Sequence, residues 1–352
     1  MPSSVFRLTS AAALVAITGD SPEALLDAGH FKRARAAAEE RLRVQPGDAR
    51  ATYVLSRVKL AYGDFDGAAA LAEKALALDG RYADAHYALA GAYGRKAQQA
   101  GLFSRLSLAR RFRKEADATL ALDPRHVAAR EGLIEFHLQA PGIAGGDKAK
   151  ARALAEELLR IDPARGYLAK ARIARSDKQP AQAEDLYLKA VAASGASYEA
   201  QVALAAFYAD ASQKKYEQAE QHAREAARLD PGRAAAHSLL ASLAVLRGRT
   251  DGLDALLAEA AASVPDNRNP CYQAGRLLLE RGQDLPRAER YFRAYLGQEP
   301  EGNAPTLAHA HWRLGTVVAR QGRRDEARAE LQTALRLKPD LEEAKKELAA
   351  LR

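Results

Sequence analysis

The chain has one cysteine, Cys271. That excludes an internal disulfide and leaves reducing and oxidising compartments equally open. Aromatic residues are scarce, at 6% of the chain, so a core built from large rings is not expected. No stretch approaches the ~18 consecutive apolar residues that a membrane-crossing helix needs. A strong charge of one sign is missing too. Lys and Arg number 53 against 45 Asp and Glu, a formal net charge of +8, and the two signs interleave along most segments. Such a surface is well solvated and leans only mildly toward acidic or anionic partners.

Alanine and a repeat take the place of these missing features. Gly29-His-Phe-Lys-Arg-Ala34 returns 34 residues later as Gly63-Asp-Phe-Asp-Gly-Ala68, again at Gly248 with Leu253, and at Gly322 through Ala327. A period of this length marks stacked helix-turn-helix units. Alanine is the best helix former and its small side chain lets helices approach closely, so propensity and pattern agree.

Proline closes most units, at Pro46, Pro124, Pro163, Pro231, Pro265, Pro300 and Pro339, with Gly80 and Gly195 filling the role elsewhere. Proline lacks an amide donor and disfavours helix in the residue before it. These stops divide the chain into nine units, at about 15–46, 49–80, 83–124, 127–163, 165–195, 198–231, 234–265, 268–300 and 308–339. Each second helix has a small or apolar residue at its centre and another four positions on: Ala34 and Ala38, Ala68 and Ala72, Phe112 and Ala116, Ala288 and Phe292. That spacing places both on one face, against the first helix of the unit. Residues 341–352 follow Pro339 with no returning helix and read as a cap, with Leu341, Ala344, Leu348 and Leu351 facing inward.

The first helices carry Leu89-Ala90 with Tyr93, Leu204-Ala205 with Tyr208, and Leu314-Gly315. On these residues the chain resembles the tetratricopeptide repeat family from about residue 15 onward. The last unit is clearest, with Trp312, Leu314, Gly315, Gly322, Ala327, Leu331, Ala334 and Pro339. It departs from the family in the usual tryptophan slot, where His86, His237, Cys271 and His311 stand. Tyr93-Gly-Arg-Lys-Ala97 and Phe136 through Gly146 further resemble a bacterial subfamily, a likeness that implies no activity. The family resemblance implies an all-α, right-handed solenoid of about nine hairpins plus a C-terminal capping helix, forming a single domain.

The period breaks in three places. About ten extra residues fall near Ala97 to Leu106, further excess lies in Ala140 through Gly146, and Glu301 to Ala308 lengthens the connection before the last unit. At the start, Leu8 to Ile17 behind Arg7 offers two readings. The expectation is a secretory leader ending near Gly19, for a periplasmic or secreted protein; the alternative for residues 1–20 is the beginning of the first unit.

Catalytic chemistry has little to stand on. His309 and His311 are two apart, on different sides of a helix, and His86, His237 and His311 fall in core-facing slots. Cys271 sits in such a slot with no histidine near it in sequence, and a nucleophile needs a positioned base. Gly142 through Lys148 resembles a phosphate loop only superficially, because the Gly-Lys-Ser/Thr element and a preceding strand are absent. It reads as a glycine-rich turn, with Asp147 capping the helix that begins at Lys148. No cofactor, metal or enzymatic activity is expected.

Binding is therefore the expected role. In the family, the first helices line the concave surface, and its inward positions map here onto Arg50, Tyr53, Arg57, Tyr87, Arg172, Tyr272, Arg276 and Trp312. Arginine and aromatic side chains dominate binding hot spots. The competing reading packs these aromatics between repeats. A carboxylate clamp of the kind some family members use is not expected, since the only asparagines, Asn267, Asn269 and Asn303, read as loop. The expected partner is an extended peptide or helix with acidic groups, and not nucleic acid. The alternative is an assembly factor acting at a membrane or acidic surface through the basic segment 97–113. A regulatory subunit of an enzyme is the third reading.

Overall fold

The computed structural model describes residues 21–194 and 197–351. The leader reading and the stop at Gly195 lie outside the described residues. Nineteen α-helices and no strand occur among the described residues, and they run as nine antiparallel hairpins and a cap. The first four hairpins are α1 (Pro22–Ala28) with α2 (Phe31–Val44), α3 (Ala49–Ala61) with α4 (Phe65–Leu78), α5 (Ala83–Gln99) with α6 (Leu102–Leu122), and α7 (Val127–Gln139) with α8 (Lys148–Ile161). The next three are α9 (Pro163–Ser176) with α10 (Pro180–Ser194), α11 (Tyr198–Ala209) with α12 (Tyr216–Leu229), and α13 (Ala234–Leu246) with α14 (Leu253–Ser263). The last two are α15 (Asn269–Arg281) with α16 (Leu285–Leu296) and α17 (Leu307–Arg320) with α18 (Arg324–Leu337). The cap α19 (Glu342–Ala350) completes the chain.

The core is a row of small residues at helical spacing. Ala34 and Ala38, Ala68 with Ala72 and Ala75, and Ala219 with Ala223 and Ala226 are fully buried on their second helices. Larger side chains fill the same row where the partner helix leaves room, as at Phe292 and Tyr295. Gly315 shows how tight the fit is: a Cβ there would meet Leu331 Cγ at 2.9 Å. Helix starts are capped by carboxylates and hydroxyls, including Asp48 on Ala51 N–H and Asp147 on the N–H groups of Ala149 and Lys150. The Asp147 cap is the one expected from sequence, and such a cap contributes about 1 kcal/mol.

Two details sharpen the sequence reading. Pro163 stands two residues past the end of α8, as Pro46 and Pro124 do past α2 and α6, and it also opens the fifth unit: Asp162 caps the end of α8 and the start of α9, and Pro163 is the first residue of α9. Proline is favoured there because its missing N–H would lack a partner in any case. The ten extra residues near Ala97 to Leu106 lengthen α5 to 17 residues and α6 to 21, with only Ala100 and Gly101 between them.

The order of contacts fixes which side is concave. Every first helix packs backbone-close against the first helix of the next hairpin, from α1 with α3 through to α17 with α19, whereas among the described residues second helices meet only through long side chains, as where Tyr291 on α16 donates to Asp254 on α14 at 2.6 Å. The first helices therefore form the closer inner layer and the second helices fan out on the convex side.

The curvature carries far enough for the first two hairpins to meet the connections on either side of the eighth. Lys32 donates from Nζ to the carbonyls of Asp266 and Glu299, both at 2.7 Å, and Arg35 pairs with Glu299 at 3.2 Å. Tyr62 donates to the Pro300 carbonyl at 3.2 Å. Gly302 fits against Phe31 and Ala61. The solenoid thus closes along a seam between α2–α3 and the loop that precedes α17.

Candidate functional site

A cleft of about 810 Å³ opens along this seam. Its walls are the α1–α2 turn, the start of α13, the α14–α15 turn with the first turns of α15, and the loop before α17. Asp27, His30, Arg233, Gln273, Arg276 and His309 bring both charges and both hydrogen-bonding roles to it. The three asparagines converge here too. Asn269 donates to Ser238 Oγ at 3.2 Å and accepts from Gln273 at 3.3 Å, and Asn267 accepts from the Asn269 N–H at 2.9 Å. Amide side chains offer a donor and an acceptor side by side, which matches a peptide backbone.

The eight residues mapped from sequence fall into distinct environments. Tyr272 and Arg276 line the cleft. Tyr272 is buried, its ring centroid 5.5 Å from Phe292 and 5.1 Å from Tyr295, while Arg276 is half-buried and pairs with Glu280 at 2.8 Å. Tyr53 is buried edge-on to Tyr82, the residue that precedes α5, and its hydroxyl accepts from Arg57 at 3.0 Å. Tyr87 packs on His126 at 5.3 Å and against Gly132. Arg50 and Arg172 are exposed, with Arg172 3.6 Å from Glu131. Trp312 is half-buried at the cap: its indole donates to Glu347 at 3.0 Å and Arg313 lies over its ring at 4.2 Å. The mapping missed His30, Arg233, Asn267, Asn269, Gln273, Asn303 and His309. Of these the asparagines carried a signal, since all three fall in or beside the two connections that flank the eighth hairpin.

The electrostatics of the seam are set by burial. Glu301 is 3% exposed. Its Oε2 accepts from the Lys32 N–H at 3.2 Å, and its Oε1 has no hydrogen-bond partner. Burial pushes its carboxyl up to about 7, outweighing the charge of Lys32, whose Nζ stands 4.0 Å away. Burial would also raise Asp266, but the ring of His30, 3.3 Å away, holds it below the usual carboxylate range. Burial raises Asp27 as well, against the charge of Arg57.

The histidines in core slots are held locally, His86 and His311 by their own repeats and His237 by the end of the preceding one. His86 and His311 lie 2.7 and 2.6 Å from Glu115 and Glu330, and His237 lies 2.9 Å from the Pro231 carbonyl. Cys271 is buried, and burial raises its thiol. Among the described residues no group of three or more His, Cys, Asp or Glu side chains is placed to hold a metal ion.

The family model of the tetratricopeptide repeat matches residues 23–61 and 272–342. No curated protein matches the sequence. Among solved structures, yeast Tom70 is similar over 94% of this chain and 79% of its own, at 15% identity and a TM-score of 0.52. Human IFIT1, in a dimer with PPP-AAAA, is similar over 94% of this chain and 80% of its own, at 16% identity and a TM-score of 0.51. At these identities the likeness shows the fold alone. The chain thus carries tetratricopeptide repeats at either end, and the described residues between them run as the same kind of helical hairpin.

Proposed function

We propose that this chain holds an extended peptide segment of another protein along its concave layer, anchored in the cleft at the seam. Tetratricopeptide-repeat proteins are in general non-enzymatic scaffolds for protein–protein interaction, and the finer reading rests on the cleft. The observation that carries it is the convergence of Arg276, Gln273 and the three asparagines in one cavity of about 810 Å³ at the seam. Amides pair with the peptide backbone, while Arg233 and Arg276 favour acidic side chains. Arg50, Arg57 and Arg172 extend a basic track along the inner layer. Tyr53, Tyr87, Tyr272 and Trp312 shape its wall.

Peptides selected on the chain from a random library, then titrated against it, test this reading. We expect acidic residues in the selected set, and an affinity loss of about tenfold on Arg276→Ala. Arg276 meets solvent, so the substitution should leave the melting temperature unchanged. Selected peptides that bind Arg276→Ala and Arg233→Ala as tightly as the wild type would remove the cleft from the binding site.

A further inference from the structure

The hairpin of α5 and α6 projects beyond its neighbours. With 21 residues, α6 exceeds the 14 of α4 by two turns, roughly 10 Å of rise. The far end is apolar and uncovered: Leu102 is 61% exposed and Phe103 86%. Residues 85–114 hold seven Lys or Arg and no Asp or Glu. Phe103, Leu106, Arg110 and Lys114 follow one another at helical spacing along a single face of α6. Arg110 and Lys114 have no acidic partner among the described residues, and Arg105 reaches only the carbonyl of Ala100, at 3.1 Å. Beside this face, the turn at residues 142–144 presents Ile143, 77% exposed, across a second cleft that Arg110, Arg113 and Lys114 line.

Single exposed apolar residues are ordinary on a soluble surface. Here two adjacent large ones cap a projection, a third stands on its flank, and the ground between is mainly cationic, with Asp117 beside Arg113 at 3.8 Å as a carboxylate at its edge. The apolar tip that carries Leu102 and Phe103 is itself convex and lies outside that second cleft, so it offers no groove in which to seat a peptide. It suits a surface that deforms around it, with apolar side chains entering the boundary between headgroups and acyl chains and cations meeting phosphates. Single-stranded nucleic acid fits less well, because stacking needs several exposed rings, and Phe112 is buried against Phe136 with ring centroids 5.3 Å apart.

We infer that the α5–α6 tip docks this protein on an anionic lipid surface. Leu102 and Phe103 enter the headgroup layer, and Arg105, Arg110 and Lys114 lie against lipid phosphates. The contact is peripheral, since no described helix is long and apolar enough to cross a membrane.

Flotation of the full chain with vesicles of phosphatidylglycerol mixed with phosphatidylcholine, against pure phosphatidylcholine, tests the inference. The wild type should partition onto the anionic vesicles on the order of tenfold or more above the neutral ones. The pair Leu102→Ser with Phe103→Ser, and separately Arg110→Glu with Lys114→Glu, should each remove most of that binding at an unchanged melting temperature. Arg276→Ala should leave it intact, which separates this surface from the peptide cleft. Equal binding to both vesicles, no binding, or full binding by either tip variant overturns the inference. So does capture of single-stranded RNA or polyglutamate by the tip when vesicles are not bound.

Discussion

A Cβ on Gly302 would stand 2.5 Å from Phe31 Cδ2 and 2.9 Å from Ala61 Cβ. Gly302 is therefore the narrowest point of the seam, where the loop before α17 lies directly on the first two hairpins. Gly302→Val should separate the two sides while each hairpin keeps its own fold. The expected result is unchanged helical circular dichroism with a larger radius of gyration in solution scattering; an unchanged radius would show that the loop gives way locally. Residues like this one carry no repeat signal. The family resemblance mapped Tyr53, Tyr87 and Tyr272 onto inward positions, which carries no information on whether a neighbouring ring covers them. Tyr82, just ahead of α5, covers Tyr53, and Phe292 and Tyr295 cover Tyr272. Asn267, Asn269 and Asn303 read as loop by local propensity, and their convergence depends on the curvature of the whole solenoid.

At the level of elements, the hairpins and their order were legible because each rests on local information: an i, i+4 row of small residues, a glycine turn and a proline or aspartate stop. The length of α5 and α6 was not, since extra residues can join a helix as readily as a loop, and Gln98-Gln-Ala-Gly101 gives no strong stop before Gly101. The cap is the element whose removal is most informative. Leu331, Ala334, Leu341 and Ala344 form one buried cluster, with Trp312 and Leu348 packed on it. Truncation after Pro339 would expose that face, and solenoid ends need such caps for solubility. The expected outcome is a melting temperature lower by several degrees and concentration-dependent association in sedimentation. A truncated chain that stays monomeric and equally stable would show that α18 closes its own end.

For the whole molecule, closure joins residues more than 230 positions apart in sequence, as with Lys32 and Asp266. Closure depends on the sum of small rotations from one hairpin to the next, which no single repeat encodes. It also makes the seam sensitive to pH. Glu301 has a folded value of about 7, above its ordinary 4.5. The closed seam thus binds its proton more tightly than an open one, and its contribution is complete below about pH 4.5 and fades as pH rises through 7. Asp266 works in the opposite sense, but only as pH falls below its ordinary 3.8. Between pH 8 and 5 the Glu301 effect should govern, tightening closure by roughly 2–3 kcal/mol. Glu301→Gln should flatten this dependence, and a wild-type seam insensitive to pH across that range would contradict the assignment. The closed seam itself is tested most directly by the distance between spin labels at exposed Ala36 and Gly297, placed by cysteine substitution in a Cys271→Ser background. Closure predicts one narrow, short-distance population that lengthens in Gly302→Val. A broad distribution reaching long distances in the unmodified sequence, unmoved by Gly302→Val, would contradict it.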